Sequence, residues 1–358
     1  MTTPRIAISG AGLGGLTCAR VLQLHGFDNV TVFERESSPE ARQQGGTIDL
    51  HAGSGQEAVR AAGLFDEWRA LARFEGQEQR KVDPVTAALI EHEPAEGDFR
   101  PEIDRGQLRQ LLLDSLAPGT VTWGLGVDSA TPGSVTFLDG STAEFDLVIG
   151  ADGAWSRVRP ALSPAMPQYT GVMFVETRHD DDAELLALTG GGTMVADDEG
   201  LMLWAQRNSG NHIRAYACMR AREDWKPSNA ELLELYADWH PSLQRFLAGE
   251  LIHRPLYALP VPHTWEHTPG VTLLGDAAHL MPPLGVGANL AMEDAADLAL
   301  AIVENGVRDG VRAYESVMLP RAIDAQERTN AGLLDMVPER AHQAVRSSSA
   351  PASTSVSA

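Results

Sequence analysis

The chain has 358 residues, 43% of them hydrophobic, enough for about two domains with a sizeable core. A formal net charge of -21 would repel nucleic-acid phosphates, and no apolar run reaches the ~18 residues that a membrane-spanning helix requires. Cys18 and Cys218 are too few for a disulfide framework, and a strand signal at Ile6 leaves no room for a signal peptide, so a cytoplasmic protein is expected.

The first predicted elements form a βαβ unit. Ile6-Ala7-Ile8 is a buried strand, and Gly10, Gly12 and Gly15 follow at the G-x-G-x-x-G spacing. Leu16, Ala19 and Leu22 make an apolar helical face, and Val30–Phe33 is a second strand ending in Glu34. Such a unit sets a pyrophosphate on a helix N-terminus, with the carboxylate of Glu34 placed for ribose hydroxyls. Arg35 and Arg42 sit just beyond, in a polar stretch from Glu36 to Gln44.

Gly45-Gly46 opens Thr47 to His51, where alternation puts Thr47, Asp49 and His51 on one face. A single helix is predicted over 55–71. Asp104 reads as the N-cap of a helix with Leu108, Leu111, Leu112 and Leu116 as its stripe and Arg105 at its first position. Three strands and an Asp139-Gly140 hairpin lead to Ile149, followed by Gly150-Ala151-Asp152-Gly153 and Ser156-Arg157-Val158-Arg159, a second ligand-edge turn whose arginines suggest an anion site.

After Pro164 the βαβ rhythm stops. Gly171–Thr177, Gly200–Gln206 and Ile213–Arg220 read as strands of an antiparallel sheet, separated by acidic loops at 180–184 and 197–199. Ser228 and Glu231 form a capping box. Gly270–Leu274 is a buried strand with Asp276 at its C-terminal edge, and a rigid Pro282–Asn289 entry opens a helix ended by Gly306. Further helix is expected from Val311 to Val345, broken at Pro320 and Pro338, then a disordered Ser/Ala-rich tail over 347–358.

The three separated motifs, Gly10 to Gly15 with Glu34, Gly150 to Arg159, and Gly275 to Asn289, resemble in order those of the flavoprotein monooxygenases of the para-hydroxybenzoate hydroxylase type. Within that group the stretches Gly45–His51, Gly53–Ala58, Glu102–Arg109 and Gly275–Pro283 are most similar to the tetracycline-inactivating enzymes. The resemblance implies an α/β fold: a Rossmann-like FAD-binding domain (1–75, 101–164 and 255–310), an antiparallel-sheet substrate domain (76–100 and 165–254) and a C-terminal helix (311–346). It also implies FAD, with NADPH or NADH as reductant and O2 as cosubstrate. The cycle it implies passes through a C4a-hydroperoxyflavin that hydroxylates a polycyclic aromatic or enolic molecule, with antibiotic inactivation as one outcome.

The resemblance puts Glu34 on the adenosine ribose, Asp276 on the ribityl chain, Asp49 and Arg105 on FAD and Arg42 on the nicotinamide cofactor. Asp152 and Gly153 would lie near both. Arg35, Gly287, Ala288 and Asn289 complete the expected cofactor set, with Asp49 and His51 near the flavin. The helix entered through Gly285 to Asn289 carries no acid before Glu293, so its positive end is free for the charge on reduced flavin. Met202, Trp204 and Tyr216, with Met219, are expected as a dry substrate wall, and Arg214 and His212 as groups that orient a substrate oxygen. No metal is required, no side chain serves as a dedicated catalytic acid or base, and a monomer is expected. The alternative reading is an FAD-dependent reductase or dehydrogenase without oxygen transfer.

After Pro283 the chain reads Leu-Gly-Val-Gly-Ala-Asn, so the family's usual Gly-Gln-Gly is absent. The stretch from Tyr169 to Glu223 carries little similarity.

Overall fold

The computed structural model describes residues 3–42 and 45–338. The expected tail over 347–358, and the helix beyond residue 338, lie outside the described residues.

A parallel five-stranded sheet runs in the order Val271–Leu273, Leu147–Gly150, Ile6–Ser9, Val30–Glu34, Val121–Trp123. Ile6, Ile8, Val32, Leu147, Ile149 and Val271 are fully buried, because the helix Leu13–Leu24 and the first arm of the last helix cover the sheet. This ordering sets the three glycine-rich turns at the C-terminal ends of adjacent strands, the edge where open α/β sheets bind ligands.

The second sheet has seven strands, in the order Ile252–Ala258, Gln168–Asp180, His212–Arg220, Leu201–Arg207, Thr193–Asp198, Gln79–Val82, Leu89–Glu93. It is antiparallel except where Thr193–Asp198 runs parallel to Gln79–Val82. One face packs on Leu232, Tyr236, Trp239, Leu243 and Phe246.

Several expectations are corrected. Residues 255–258, expected in the first domain, pair with Gln168–Asp180 in the second sheet. The strand Thr193–Asp198 includes Asp197 and Asp198, which read as loop; both are exposed, so the ladder satisfies the backbone while the carboxylates stay in water. The region 180–184 holds Asp182, which caps a helix Ala183–Thr189. The 55–71 helix divides into Gly55–Ala61 and Phe65–Leu71 at Gly63, whose φ is +66°. Helix Gly287–Met336 turns at Gly306, as expected, but continues through Pro320. Arg321, the next residue, is held by Glu293, Asp294 and Asp297 on the first arm, which ties that turn down.

Candidate functional site

The first turn is built by glycines with different duties. Gly10 has a φ of +106°, and a Cβ there would run into the Ala151 carbonyl; one at Gly15 would run into the Gly10 carbonyl. A Cβ at Gly12 would meet nothing within 4 Å. Packing demands the outer two, whereas Gly12 borders open space. Gly12 is also the N-cap of Leu13–Leu24 and supplies no side-chain cap, and no acid lies in the first turn, so that helix end is free for an anion. Glu34 is fixed beside it by accepting the Ala11 N–H at 2.8 Å and the Glu36 N–H at 3.0 Å.

The second and third turns meet the first. The Ala151 N–H donates to Ser9 at 2.9 Å, and the Leu274 N–H donates to Gly150 at 2.9 Å. Asp152 accepts the Arg157 N–H at 2.7 Å through one oxygen, while its Oδ1 is buried without a hydrogen-bond partner among the described residues. Burial pushes the Asp152 carboxyl up. A Cβ at Gly153 would meet open space.

Arg159, read as part of an anion site, is instead fully buried and committed to protein. It donates to the carbonyls of Ala277 at 2.8 Å, Ala154 at 2.7 Å and Asp276 at 3.2 Å, strapping the second turn to the third. Arg159→Ala strands three carbonyls. It is expected to lower the unfolding free energy of the protein without ligand by about 3 kcal/mol or more, read from a denaturant melt.

Asp276 opens the short helix Asp276–His279 with its side chain exposed. Below it, the Gly275 N–H donates to the buried Asp294 at 3.1 Å. A Cβ at Gly287 would lie 4.0 Å from Asp276 Oδ1, so Gly287, next to Ala288 in the chain, faces this carboxylate. The helix they begin has no acid in its first turn and no side-chain cap. Asn289 is buried, and its side chain is spent on protein: it accepts the His51 N–H at 2.8 Å and donates to the carbonyls of Asp49 at 2.8 Å and Gly285 at 3.2 Å. Any contact it makes to a ligand is therefore through its backbone. His51 Nε2 lies 2.9 Å from Asp49 Oδ2.

Arg105 is part-exposed. Burial depresses its pKa, opposed by Asp276 and reinforced by Arg42 and Arg109. Arg109, which sequence reasoning passed over, braces the first turn. Its Nε donates to the Ala11 carbonyl at 3.0 Å, its Nη1 to Pro39 at 3.0 Å, and it lies 5.2 Å from the Trp123 ring. The available signal was its position four residues after Arg105, on the same helical face. Arg35 is exposed, and Arg42 is exposed with its Nε 2.5 Å from Glu36 Oε1.

Met202, Trp204, Arg214 and Tyr216 share one face of the seven-stranded sheet, since Trp204 pairs with Tyr216 and Gln206 with Arg214. Met219 lies on the opposite face, in the core beneath, so the structure removes it from the wall. The shared face is covered in part by Leu284 and by Leu333, Met336 and Val337 at the end of the last helix. Trp204 Nε1 is buried without a hydrogen-bond partner among the described residues. Arg214 donates to the buried Glu176 at 2.6 Å, Arg178 lies 2.9 Å from the same carboxylate, and Arg254 completes the cluster. Together the arginines hold Glu176 below the usual carboxylate range despite its burial. A cleft of about 450 Å3 lies between the domains, lined by Gly45, Asp104, Asn208, Ser209, His212 and Arg214. His212 also lies 2.5 Å from Asp180.

A family model described as an FAD binding domain matches residues 134–329, and one described as an NAD(P)-binding Rossmann-like domain matches residues 8–50. The chain is 32% identical to "Monooxygenase penA" of Penicillium thymicola, over 92% of this chain and 94% of that protein. It is 29% identical to the 6-hydroxynicotinate 3-monooxygenase of Pseudomonas fluorescens, over 90% of each. Its fold matches the crystal structure of Klebsiella pneumoniae HpxO complexed with FAD and uric acid, with a TM-score of 0.81 at 22% identity, covering 94% of this chain and 89% of that one. The residues present suit a dinucleotide: open space at Gly12 and Gly153, an orphaned Asp152 oxygen and two helix N-termini without a side-chain cap.

Proposed function

The chain belongs to the family of FAD-binding monooxygenases, and we propose that it uses NAD(P)H and O2 to hydroxylate a polycyclic aromatic or enolic small molecule. The observation that carries this reading is the meeting of three ligand-edge turns at the ends of adjacent parallel strands. In this reading Glu34 takes the adenosine ribose and the Leu13–Leu24 helix end takes the pyrophosphate. Asp276, Arg105, Asp49, Asp152 and the backbone of Gly287–Asn289 hold the rest. Bound there, FAD supplies the family's redox chemistry: it accepts two electrons and uses O2 to insert one oxygen into the substrate.

The protein's own part is to bind, orient and exclude water. The N–H groups of the Gly287 helix end offer positive potential to developing negative charge, worth about 0.3–2 kcal/mol for a favourable charge. Arg105, beside Asp276, adds a fixed cation. Met202, Trp204 and Tyr216 keep the reacting space dry, and Arg214, fixed by Glu176, presents a cation to a phenolate or enolate oxygen. A fused-ring compound of the tetracycline kind suits a cleft with an aromatic wall and a cation.

The deciding experiment supplies the purified FAD-loaded protein with NADPH or NADH, O2 and a panel of phenols, hydroxypyridine carboxylates and tetracyclines. A substrate mass raised by one oxygen is the expected result. Substrate-stimulated NAD(P)H oxidation that releases hydrogen peroxide, with no product of higher mass across the panel, would favour the reductase reading. Arg42→Ala is expected to raise KM for NAD(P)H about tenfold while flavin content is unchanged, because Arg42 stands exposed outside the glycine turn. Steady-state kinetics together with flavin absorbance checks it, and equal loss of both would misplace Arg42.

A further inference from the structure

The ribbon formed by Thr47–Asp49 and Glu102–Asp104 carries an unusual load. Thr47 faces Asp104 and Asp49 faces Glu102 in register, so three carboxyl groups share one face. Glu102 is the most enclosed of them. Gly76 of the turn Phe74–Gln77 presses on its Cβ and Cγ, where a Cβ on the glycine would come within 2.7 Å. Its backbone is doubly bonded to Arg73, at 2.7 and 3.1 Å.

The side chains form a chain of contacts from one domain to the other. The Thr47 hydroxyl donates to Glu102 Oε2 and accepts from Arg73 Nη2 at 2.8 Å. The same Arg73 Nη2 lies 3.5 Å from Asp104 Oδ1. Asp104 heads the Arg105–Asp114 helix but gives it no side-chain cap; it reaches across the cleft instead and accepts the Ser209 N–H at 3.2 and 3.3 Å. Ser209 lies in the hairpin between the strands that carry Trp204 and Arg214, and Asp104, Ser209 and Arg214 all line the interdomain cleft.

We propose that Glu102 is a positioning residue that holds the substrate-sheet hairpin on the cofactor-side ribbon, acting through Thr47, Arg73 and Asp104. The charges facing it are Asp49 from the first strand, Asp104 from its own strand and Arg73 from the segment packed against both. Glu75, on the Phe74–Gln77 turn, is exposed. Burial, together with Asp49 and Asp104, pushes the Glu102 carboxyl up to about 7, while Thr47 and Arg73 oppose the rise. With its proton on, Glu102 leaves Arg73 to Asp104, and the Ser209 anchor is firm. As pH rises through that value, the new negative charge draws Arg73 toward Glu102 and repels Asp104, and the anchor loosens.

The test needs no substrate and rests on the monooxygenase reading only in naming the cleft as the substrate's. Hydrogen exchange of the Ser209–Asn211 backbone is followed in the FAD-loaded full chain, corrected for intrinsic chemical exchange. Protection is expected to fall about fivefold between about pH 6 and about pH 8 in the natural protein. In Glu102→Gln it is expected to be flat and high. Infrared difference spectra over the same interval should show a carboxyl band that the variant lacks. A Glu102→Gln protein with the same pH-dependent protection as the parent overturns the proposal. Should that variant fail to fold, Asp104→Asn keeps an acceptor for the Ser209 N–H but removes the charge that Glu102 repels and Arg73 attracts, and must likewise lose the pH response. Flavin content, measured on the same samples, separates failure of this inference from failure of the FAD assignment.

Discussion

Asp276→Ala is expected to weaken FAD binding about tenfold to a hundredfold while leaving the protein without flavin within about 0.5 kcal/mol of its parent's stability. The contrast follows from the geometry. The side chain is exposed, and its carboxylate makes no hydrogen bond to the described residues, so the fold does not depend on it. Its backbone, in contrast, is fixed from three sides: Arg159 holds the Asp276 carbonyl, and Asp294 holds the Gly275 N–H and lies 2.5 Å from the buried His279. A carboxylate carried on so fixed a backbone, with no hydrogen bond to the described residues, is a ligand group waiting for hydroxyls. Fluorescence titration of the flavin-free protein with FAD measures the first effect and a denaturant melt the second. Flavin content unchanged on purification would remove Asp276 from the site.

A pair of glycine substitutions should separate packing from ligand approach. Gly15→Ala drives a Cβ into the Gly10 carbonyl, backbone against backbone, with no flexible side chain to yield. It is expected to cost about 3 kcal/mol of stability, the upper end for overpacking, and to fold poorly with or without FAD. Gly12→Val meets nothing within 4 Å, and the Gly12 backbone, at φ -80° and ψ 178°, is one that valine adopts readily. Its stability loss should be about 1 kcal/mol, the usual difference between glycine and a branched residue at an N-cap. Its flavin content should nevertheless collapse, because the new methyl groups fill the space through which a pyrophosphate reaches the helix N–H groups. Circular dichroism melts and the visible spectrum of the purified variants check both. A yellow Gly12→Val protein would show that the cofactor does not pass over this turn.

The elements that could be read from the chain were those whose evidence is local. The βαβ opening, the hairpin at Asp139-Gly140, the capping box at Ser228 and the helix turn at Gly306 each declare themselves within a few residues. The alternation that placed Thr47 and Asp49 on one face also survives, because a strand's period is fixed by its backbone; the strand ends before His51. Strand Thr193–Asp198 escaped because its acidic end obscures the pattern, whereas Met219 was misassigned although it lies three residues from Tyr216 on one strand, a spacing that puts the two on opposite faces.

Sequence by itself therefore determined the order of the three glycine turns, the acids that follow them and the class of fold that such an order implies. Tertiary structure alone decided which of those groups are available. Arg159 looked like an anion ligand and is a strap; the side chain of Asn289 is a brace between Asp49, His51 and Gly285, which leaves only its backbone for a cofactor. Glu102 and Glu176 gave no local signal, and Arg109 gave only its spacing from Arg105, yet they support the ribbon, Arg214 and the first turn. The reason is physical. A backbone conformation is set by neighbours along the chain, whereas the state of a buried polar group depends on partners up to 240 positions away, and those are chosen only when the sheets pack.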